Sequence, residues 1–213
     1  MRINKVTSTN PLIEYFFFVE SQDLSFEQRN IQFFPDGQNV IVLNFGDNFL
    51  EKGKVLPRNL ISAICMDSHF VKTEKYQVNL VGIKLKAHGL YPYIDKPMEE
   101  IAAQIHSLDS LFGNNVHDLY ERLLKQQERN KRIEILEDYF KTNIKKQLPT
   151  TFVNLITEIN TKKGCISLKE LTKKYNISER TIERNFKFYL GVNPKKYLRV
   201  VRFYAIAEEV KNK

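Results

Sequence analysis

Residues 167–205, SLKELTKKYNISERTIERNFKFYLGVNPKKYLRVVRFYA, contain three successive helix start signals. Ser167 followed by Glu170 fits a capping box, and Leu168, Leu171 and Tyr175 are the apolar positions of the first helix. Asn176 and Ile177 interrupt that pattern. Ser178 is placed to cap a second helix whose apolar stripe is Ile182, Phe186 and either Tyr189 or Leu190. Gly191 is placed to end it, because glycine takes the left-handed conformation without a steric cost. Asn193 and Pro194 supply a cap and a first-turn proline for a third helix, with Tyr197, Val200, Val201, Tyr204 and Ala205 on its inward side. Two short helices about a tight turn, the second bearing exposed Arg and Lys, are the layout of a helix-turn-helix.

The outward face of the second helix holds Glu179, Arg180, Glu183, Arg184 and Lys187. Arg matches the two acceptors of guanine, Glu accepts from cytosine N4, and the early residues of the second helix are those that reach base edges in this motif. The same charges also suit a solvated helix, with Glu179–Glu183 repelling and Glu183–Lys187 attracting. Charge distribution favours the first reading. From Thr150 to Lys213 there are 14 Lys and Arg against 6 Asp and Glu, a net of +8, while residues 1–149 hold 19 of each sign. Positive charge confined to one module points to a polyanion. An acidic membrane surface would call for a broad apolar helix face, and here the apolar positions are used to join three short helices.

The segment 166–210 resembles the first half of the DNA-binding domain of AraC-type transcription regulators. The matching positions are Leu171, Ser178, Arg180, Ile182, Arg184, Phe186, Lys187, Gly191, Asn193-Pro194, Tyr197, Arg202 and Ala205. Family members usually carry a small Ala where this chain has Thr172. The resemblance implies that Arg180, Glu183 and Arg184 read bases and that Lys187 and the helix starts face phosphates. Thr181, Lys195 and Lys196 complete the expected DNA-binding set. The family's domain normally has two helix-turn-helix units joined by a long helix, and only the first has a counterpart between Ser167 and Lys213. A lone unit makes few phosphate contacts and is expected to bind weakly unless a dimer supplies a second half-site.

The front of the chain reads as β structure. Strands are expected at Ile13–Glu20, Leu60–Cys65, Phe70–Lys72 and Asn79–Lys86, and at Asn30–Phe34 and Asn39–Phe45, which the tight turn Pro35-Asp36-Gly37-Gln38 joins. Val81, Ile83 and Leu85 alternate with Gly82, Lys84 and Lys86, the pattern of a half-buried strand. From Pro97 the pattern turns helical. Val116, Leu119, Tyr120, Leu123 and Leu124 form one stripe, and Ile133, Leu136, Tyr139 and Phe140 another, with a break in Lys125–Arg132. Pro35-Asp36-Gly37, Gly82-Ile83-Lys84-Leu85 and Leu108-Asp109-Ser110-Leu111-Phe112-Gly113 resemble the cupin-like sensor domain of one AraC-type subgroup. That resemblance implies a small β-barrel followed by connecting helices that dimerise the protein. The Leu119–Leu124 stripe serves either as that dimer surface or as packing on the barrel. Phe16, Phe18, Phe33 and Tyr76 either line a barrel pocket or fill it.

The expected fold is therefore α+β: a barrel in residues 1–96, a helical connector in 97–147 and a helix-turn-helix module in 148–213. Two cysteines far apart, Cys65 and Cys165, indicate a reducing, cytoplasmic compartment. No signal peptide or membrane-length apolar run is present in the sequence. None of His69, His88, His106 and His117 falls in a metal-binding motif, and no Gly-rich phosphate loop occurs, so no cofactor, metal or catalytic residue is assigned. Cys65 with His69 reads as a nucleophile and base or, more simply, as a buried structural thiol. The leading reading is a DNA-binding regulator whose partners are double-stranded DNA, a second copy of the chain and an unidentified small-molecule effector. The alternatives are a protein-binding module or truncated antagonist that uses the basic C-terminal helices, and a cupin-type enzyme.

Overall fold

The computed structural model describes residues 2–22, 24–25 and 29–211. The architecture is α+β, with two antiparallel sheets in the N-terminal part and helices after them. One sheet has six strands in the order β1 (Arg2–Thr7), β2 (Ile13–Ser21), β9 (Val78–Leu85), β4 (Asn39–Asn44), β7 (Asn59–Ser62) and β10 (Ile105–Ser107). The other has four, in the order β3 (Asn30–Phe33), β8 (His69–Thr73), β5 (Phe49–Glu51) and β6 (Lys54–Val55). The six-stranded sheet thus runs past residue 96, since β10 pairs with β7 through Ile105↔Ser62 and Ser107↔Leu60.

The six-stranded sheet is covered on both faces. On one side, Val19, Val42, Leu60, Val78 and Leu80 meet Phe49 and Val71 of the smaller sheet. On the other, Phe16, Phe18, Ile41, Leu43, Ile61, Val81, Ile83 and Leu85 pack against Leu108, Leu119, Leu123, Leu136 and Phe140. This explains the unbroken run Phe16-Phe17-Phe18-Val19, because a strand buried on both faces has no polar side. It also corrects the expectation that β9 is half-buried. Gly82 lies opposite Phe17 in the β2–β9 register, and a Cβ there would stand 1.9 Å from the Phe17 ring. Lys84 is buried in an ion pair with Asp36.

A second correction concerns Asn30–Phe33 and Asn39–Asn44. They do not pair as a hairpin: β3 pairs with β8, and β4 lies between β9 and β7. Residues 35–38 are the passage from one sheet to the other. Asp36 Oδ1 accepts from the Gln38 amide at 2.9 Å, and the Gly37 amide donates to the Cys65 carbonyl at 3.2 Å.

The helices are α1 (Asp109–Phe112), α2 (Asn115–Lys125), α3 (Arg129–Thr142), α4 (Thr150–Thr161), α5 (Leu168–Tyr175), α6 (Glu179–Leu190) and α7 (Pro194–Lys211). The stripe considered as a dimer surface is used internally. Val116, Leu119 and Leu123 are buried in the sheet–helix core, and Tyr120 stacks on Phe45 with ring centroids 4.8 Å apart. Leu124 alone of that stripe is exposed. Phe16 and Phe18 fill the core, whereas Phe33 and Tyr76 are exposed and do neither of the tasks expected of them.

Helix α4 has no counterpart in the expected elements. Its Phe152, Leu155, Ile156 and Ile159 follow helical spacing and are buried. No side chain caps its start, where Pro149 precedes the first turn. With Leu168, Leu171, Ile182, Phe186, Leu190, Tyr197, Leu198 and Val201 they form the core of the C-terminal module. Ile64, Met66, Ala87 and Ala102 of the N-terminal part join that same core. Among the described residues, no helix is long and apolar enough to cross a membrane.

Candidate nucleic-acid interface

Local capping chemistry builds the helix-turn-helix. Ser167 Oγ accepts from the Glu170 amide at 3.2 Å, and a Glu170 carboxylate oxygen accepts from the Ser167 amide at 2.8 Å, completing the capping box. Helix α5 ends at Asn176, which is left-handed at φ 51°. Ser178 Oγ then accepts from the Thr181 amide at 3.1 Å and starts α6. Gly191, at φ 70°, ends α6. Asn193 Oδ1 accepts from the Lys195 amide at 2.8 Å at the start of α7. Thr172, in the place of the usual Ala, donates its hydroxyl to the Lys169 carbonyl at 2.8 Å.

Packing fixes which face of α6 looks outward. Ile182, Phe186 and Leu190 are fully buried. The Phe186 ring meets Phe152 and Tyr197 at centroid separations of 5.7 and 5.6 Å, and the Tyr197 hydroxyl donates to Asn160 Oδ1 at 3.0 Å. The α5–α4 contact is tied by Glu158, which accepts from Lys174 Nζ at 2.7 Å and from the Tyr175 hydroxyl at 2.8 Å. The hydrogen bonds from Lys174 and Tyr175 hold the Glu158 carboxyl below its ordinary range.

The seven residues assigned to DNA contact divide into two groups. Arg180, Glu183 and Arg184 are exposed, and among the described residues no hydrogen-bond or ion-pair partner holds them. At i, i+3 and i+4 they share one side of the first turns of α6. The other four are engaged. Thr181 takes part in the Ser178 cap, its hydroxyl 2.9 Å from Ser178 Oγ. Lys187 Nζ lies 2.9 Å from Glu99 Oε2, Lys195 Nζ 3.5 Å from Glu179 Oε1, and Lys196 Nζ 3.4 Å from Asp67 Oδ2.

Two of those pairs cross from the helix-turn-helix to the N-terminal part, and more contacts accompany them. The end of α6 sits on a short 3-10 turn at Met98–Glu100. Tyr91 meets Tyr189 edge-on at 5.0 Å and Phe188 at 5.8 Å. Gly37, between the two sheets, approaches Tyr197 and Val201 of α7. Sequence reasoning finds neither Tyr91 nor Glu99, because each partner lies about ninety positions away and no local pattern marks a contact of that range.

Cys65 and His69 are not aimed at one another. Cys65 Sγ donates to the Asp67 carbonyl at 3.1 Å, and His69 Nδ1 lies 2.8 Å from Glu51 Oε1. Burial, with Asp36 nearby, pushes the Cys65 thiol up to about 11. Among the described residues, no group of three or more His, Cys, Asp or Glu side chains is placed to hold a metal ion. A cleft of about 480 Å³ lies against β5 and β8, bordered by Leu50, Lys52, Phe70 and Lys72.

Residues 8–107 match the model of a domain of unknown function, DUF6597. No curated protein matches the chain. Among solved structures, the chain is similar to that of unsaturated fatty acid bound wild-type ToxT from Vibrio cholerae strain SCE256, at 8% identity and a TM-score of 0.49, over 98% of this chain and 84% of that one. It is also similar to ToxT from Vibrio cholerae O395, at 8% identity and a TM-score of 0.40, over 99% of this chain and 82% of that one.

Proposed function

We propose that this chain is a DNA-binding transcription regulator of AraC type, in which α6 enters the major groove. Arg180 and Arg184 contact guanine edges and Glu183 accepts from cytosine. The observation that carries this reading is the open face of α6. Ile182, Phe186 and Leu190 bury the opposite face, while the residues at the base-reading positions of the capped helix-turn-helix are exposed and have no partner among the described residues. The excess positive charge of residues 150–213 supplies the sequence-independent attraction. Lys195 and Lys196 stand at the start of α7, where their ammonium groups suit a phosphate. Their existing ion pairs are exposed, worth at most ~1 kcal/mol, and give way to a phosphate at little cost.

The N-terminal part acts in this reading as the regulatory module, because it touches the reading helix directly through Tyr91, Met98 and Glu99. Fluorescence anisotropy with duplexes selected from a random pool, at two salt concentrations, tests the proposal. The expected result is salt-dependent binding whose sequence preference disappears in Arg180→Glu/Arg184→Glu while the folded state persists. Absence of binding at low salt, or an unchanged preference in that double variant, overturns it.

A further inference from the structure

Helix α7 carries an apolar stripe that the described chain does not cover. Phe203, Ile206 and Val210 are 49, 58 and 69% exposed. Steps of three and four residues set them along one side of the helix. The other side is in use, with Tyr197, Leu198, Val200 and Val201 buried in the module core. Single exposed apolar residues are ordinary. Three in helical register form a continuous strip, which marks an interaction surface.

The charges beside the strip indicate what covers it. Arg199 and Arg202 are exposed towards its start, and Glu209 is exposed towards its end. Two parallel copies would bring like charges together. Two antiparallel copies crossing at Ile206 bring Arg202 of one beside Glu209 of the other. Glu209 already meets Lys163 Nζ at 2.6 Å, but both side chains are 60% exposed. Such a solvent-screened pair adds little and exchanges readily.

We propose that the strip of Phe203, Ile206 and Val210 receives the same strip of a second copy of this chain, antiparallel about a two-fold axis at Ile206, when both copies sit on DNA. The inference rests on the DNA-reading role proposed for α6. Helix geometry gives it a length. Pro194 precedes Ile206 by 12 residues. At 1.5 Å per residue, the two α7 starts therefore stand about 36 Å apart. Each α6 is packed on its own α7 start through Phe186 and Tyr197. The two reading helices then match half-sites one turn apart, roughly 34–36 Å on B-DNA. Three side chains are a small patch beside the ~800 Å² per partner of a standing interface. Pairing is accordingly weak in solution and develops on a duplex that holds both copies at high effective concentration.

Selection of binding sites from a random duplex pool, with the full chain and its variants, tests this. The expected motif is two inverted half-sites about one helical turn apart. Ile206→Glu should enrich a single half-site and bind the double site about 100-fold less tightly. Its position at the surface leaves the fold intact, which thermal melting checks. Phe203→Cys and Val210→Cys proteins, mixed on the selected duplex and oxidised, should cross-link to each other in preference to themselves. Single half-sites that Ile206→Glu leaves unchanged would overturn the pairing and leave the DNA-reading role standing, as when another protein or further chain covers the strip. Failure of the unaltered chain to enrich any motif would remove the DNA-reading role and the pairing with it.

Discussion

The Lys187 ammonium lies 2.9 Å from the Glu99 carboxylate, so a cation on α6 is held by the module that precedes it. Both side chains are largely exposed, at 67 and 48%. The pair therefore contributes at most ~1 kcal/mol to stability. On the proposed DNA-binding role, its effect on duplex affinity exceeds its effect on the fold, because Lys187 cannot serve Glu99 and a phosphate together. In Glu99→Gln the melting temperature should barely move. Affinity for non-specific duplex should rise, and the slope of log affinity against log salt should steepen by about 0.9, the value for one added phosphate contact. Anisotropy titrations at several salt concentrations measure this, and an unchanged slope would show that Lys187 does not reach the duplex.

Gly191 is the tightest point of the same contact. It is left-handed, and a Cβ would stand 2.2 Å from the Met98 carbonyl oxygen and 2.6 Å from Ala102 Cβ. The backbone conformation alone costs a side chain about 1–2 kcal/mol. The collision is with backbone, which cannot step aside as a flexible side chain does. Gly191→Ala should lower the melting temperature by about 2–4 °C for each kcal/mol lost. It should also loosen the seat of α6 on the Met98–Glu100 turn, which hydrogen exchange at Ile101 and Ala102 would register. A variant as stable as the parent would show that the two parts are not held together here.

The helix-turn-helix was legible because its punctuation is local. Ser167, Ser178, Gly191 and Pro194 each act within four residues, and each does in the structure what its chemistry suggests. The sheets were less legible. Residues 35–38 carry ordinary hairpin-turn chemistry, yet they cross between sheets, because β3 pairs with β8 and β4 with β9, each more than thirty positions away, instead of with one another. Lys84 looks like the polar side of a half-buried strand until Asp36 arrives from another part of the chain to neutralise it. Helix α4 had the spacing but lacked a cap, so the start signal that exposes its neighbours was missing. The open face of Arg180, Glu183 and Arg184 was legible, and the partners that occupy Lys187 and Lys196 were not, since Glu99 and Asp67 belong to the preceding module.

The Asp36–Lys84 pair should behave as a buried ion pair does. Its side chains are 10 and 9% exposed. Removing one partner leaves an uncompensated charge and typically costs about 3–5 kcal/mol, whereas replacing both by apolar groups of similar size is often neutral. Asp36→Asn should therefore be strongly destabilising, and Asp36→Leu/Lys84→Met should recover most of the loss. Denaturant midpoints of the three proteins test this. A double variant no better than the single would place the importance of Asp36 in its bond to the Gln38 amide instead.

The two thiols should separate cleanly in a reactivity assay. Cys165 is exposed and Cys65 is buried. Burial and the nearby Asp36 push the Cys65 thiol up to about 11, so little thiolate exists at neutral pH. An aromatic disulfide reagent should modify one thiol of the folded chain within minutes and the second only on unfolding. Two fast equivalents would mean that the turn carrying Asp36 and Gly37 opens over Cys65.

His88 sets a pH limit on stability. It is 4% exposed, and its Nδ1 is buried with no hydrogen-bond partner among the described residues. Burial, with Lys86 adding a smaller repulsion, lowers its pKa from 6.5 to about 4. The folded chain therefore keeps His88 neutral where the unfolded chain already binds a proton. Stability rises with pH wherever the unfolded state holds more protons, so this contribution is complete above about pH 6.5 and is lost as the pH falls towards 4. At 1.36 kcal/mol per unit, the loss is on the order of 3 kcal/mol. Denaturant midpoints measured from pH 7.5 to 4 should fall across that window. His88→Leu, which keeps the volume without the titrating group, should flatten the part of the curve between pH 6.5 and 4. A slope identical in the two proteins would assign the acid sensitivity to the carboxylates, with Glu158 and its two donors the first to examine.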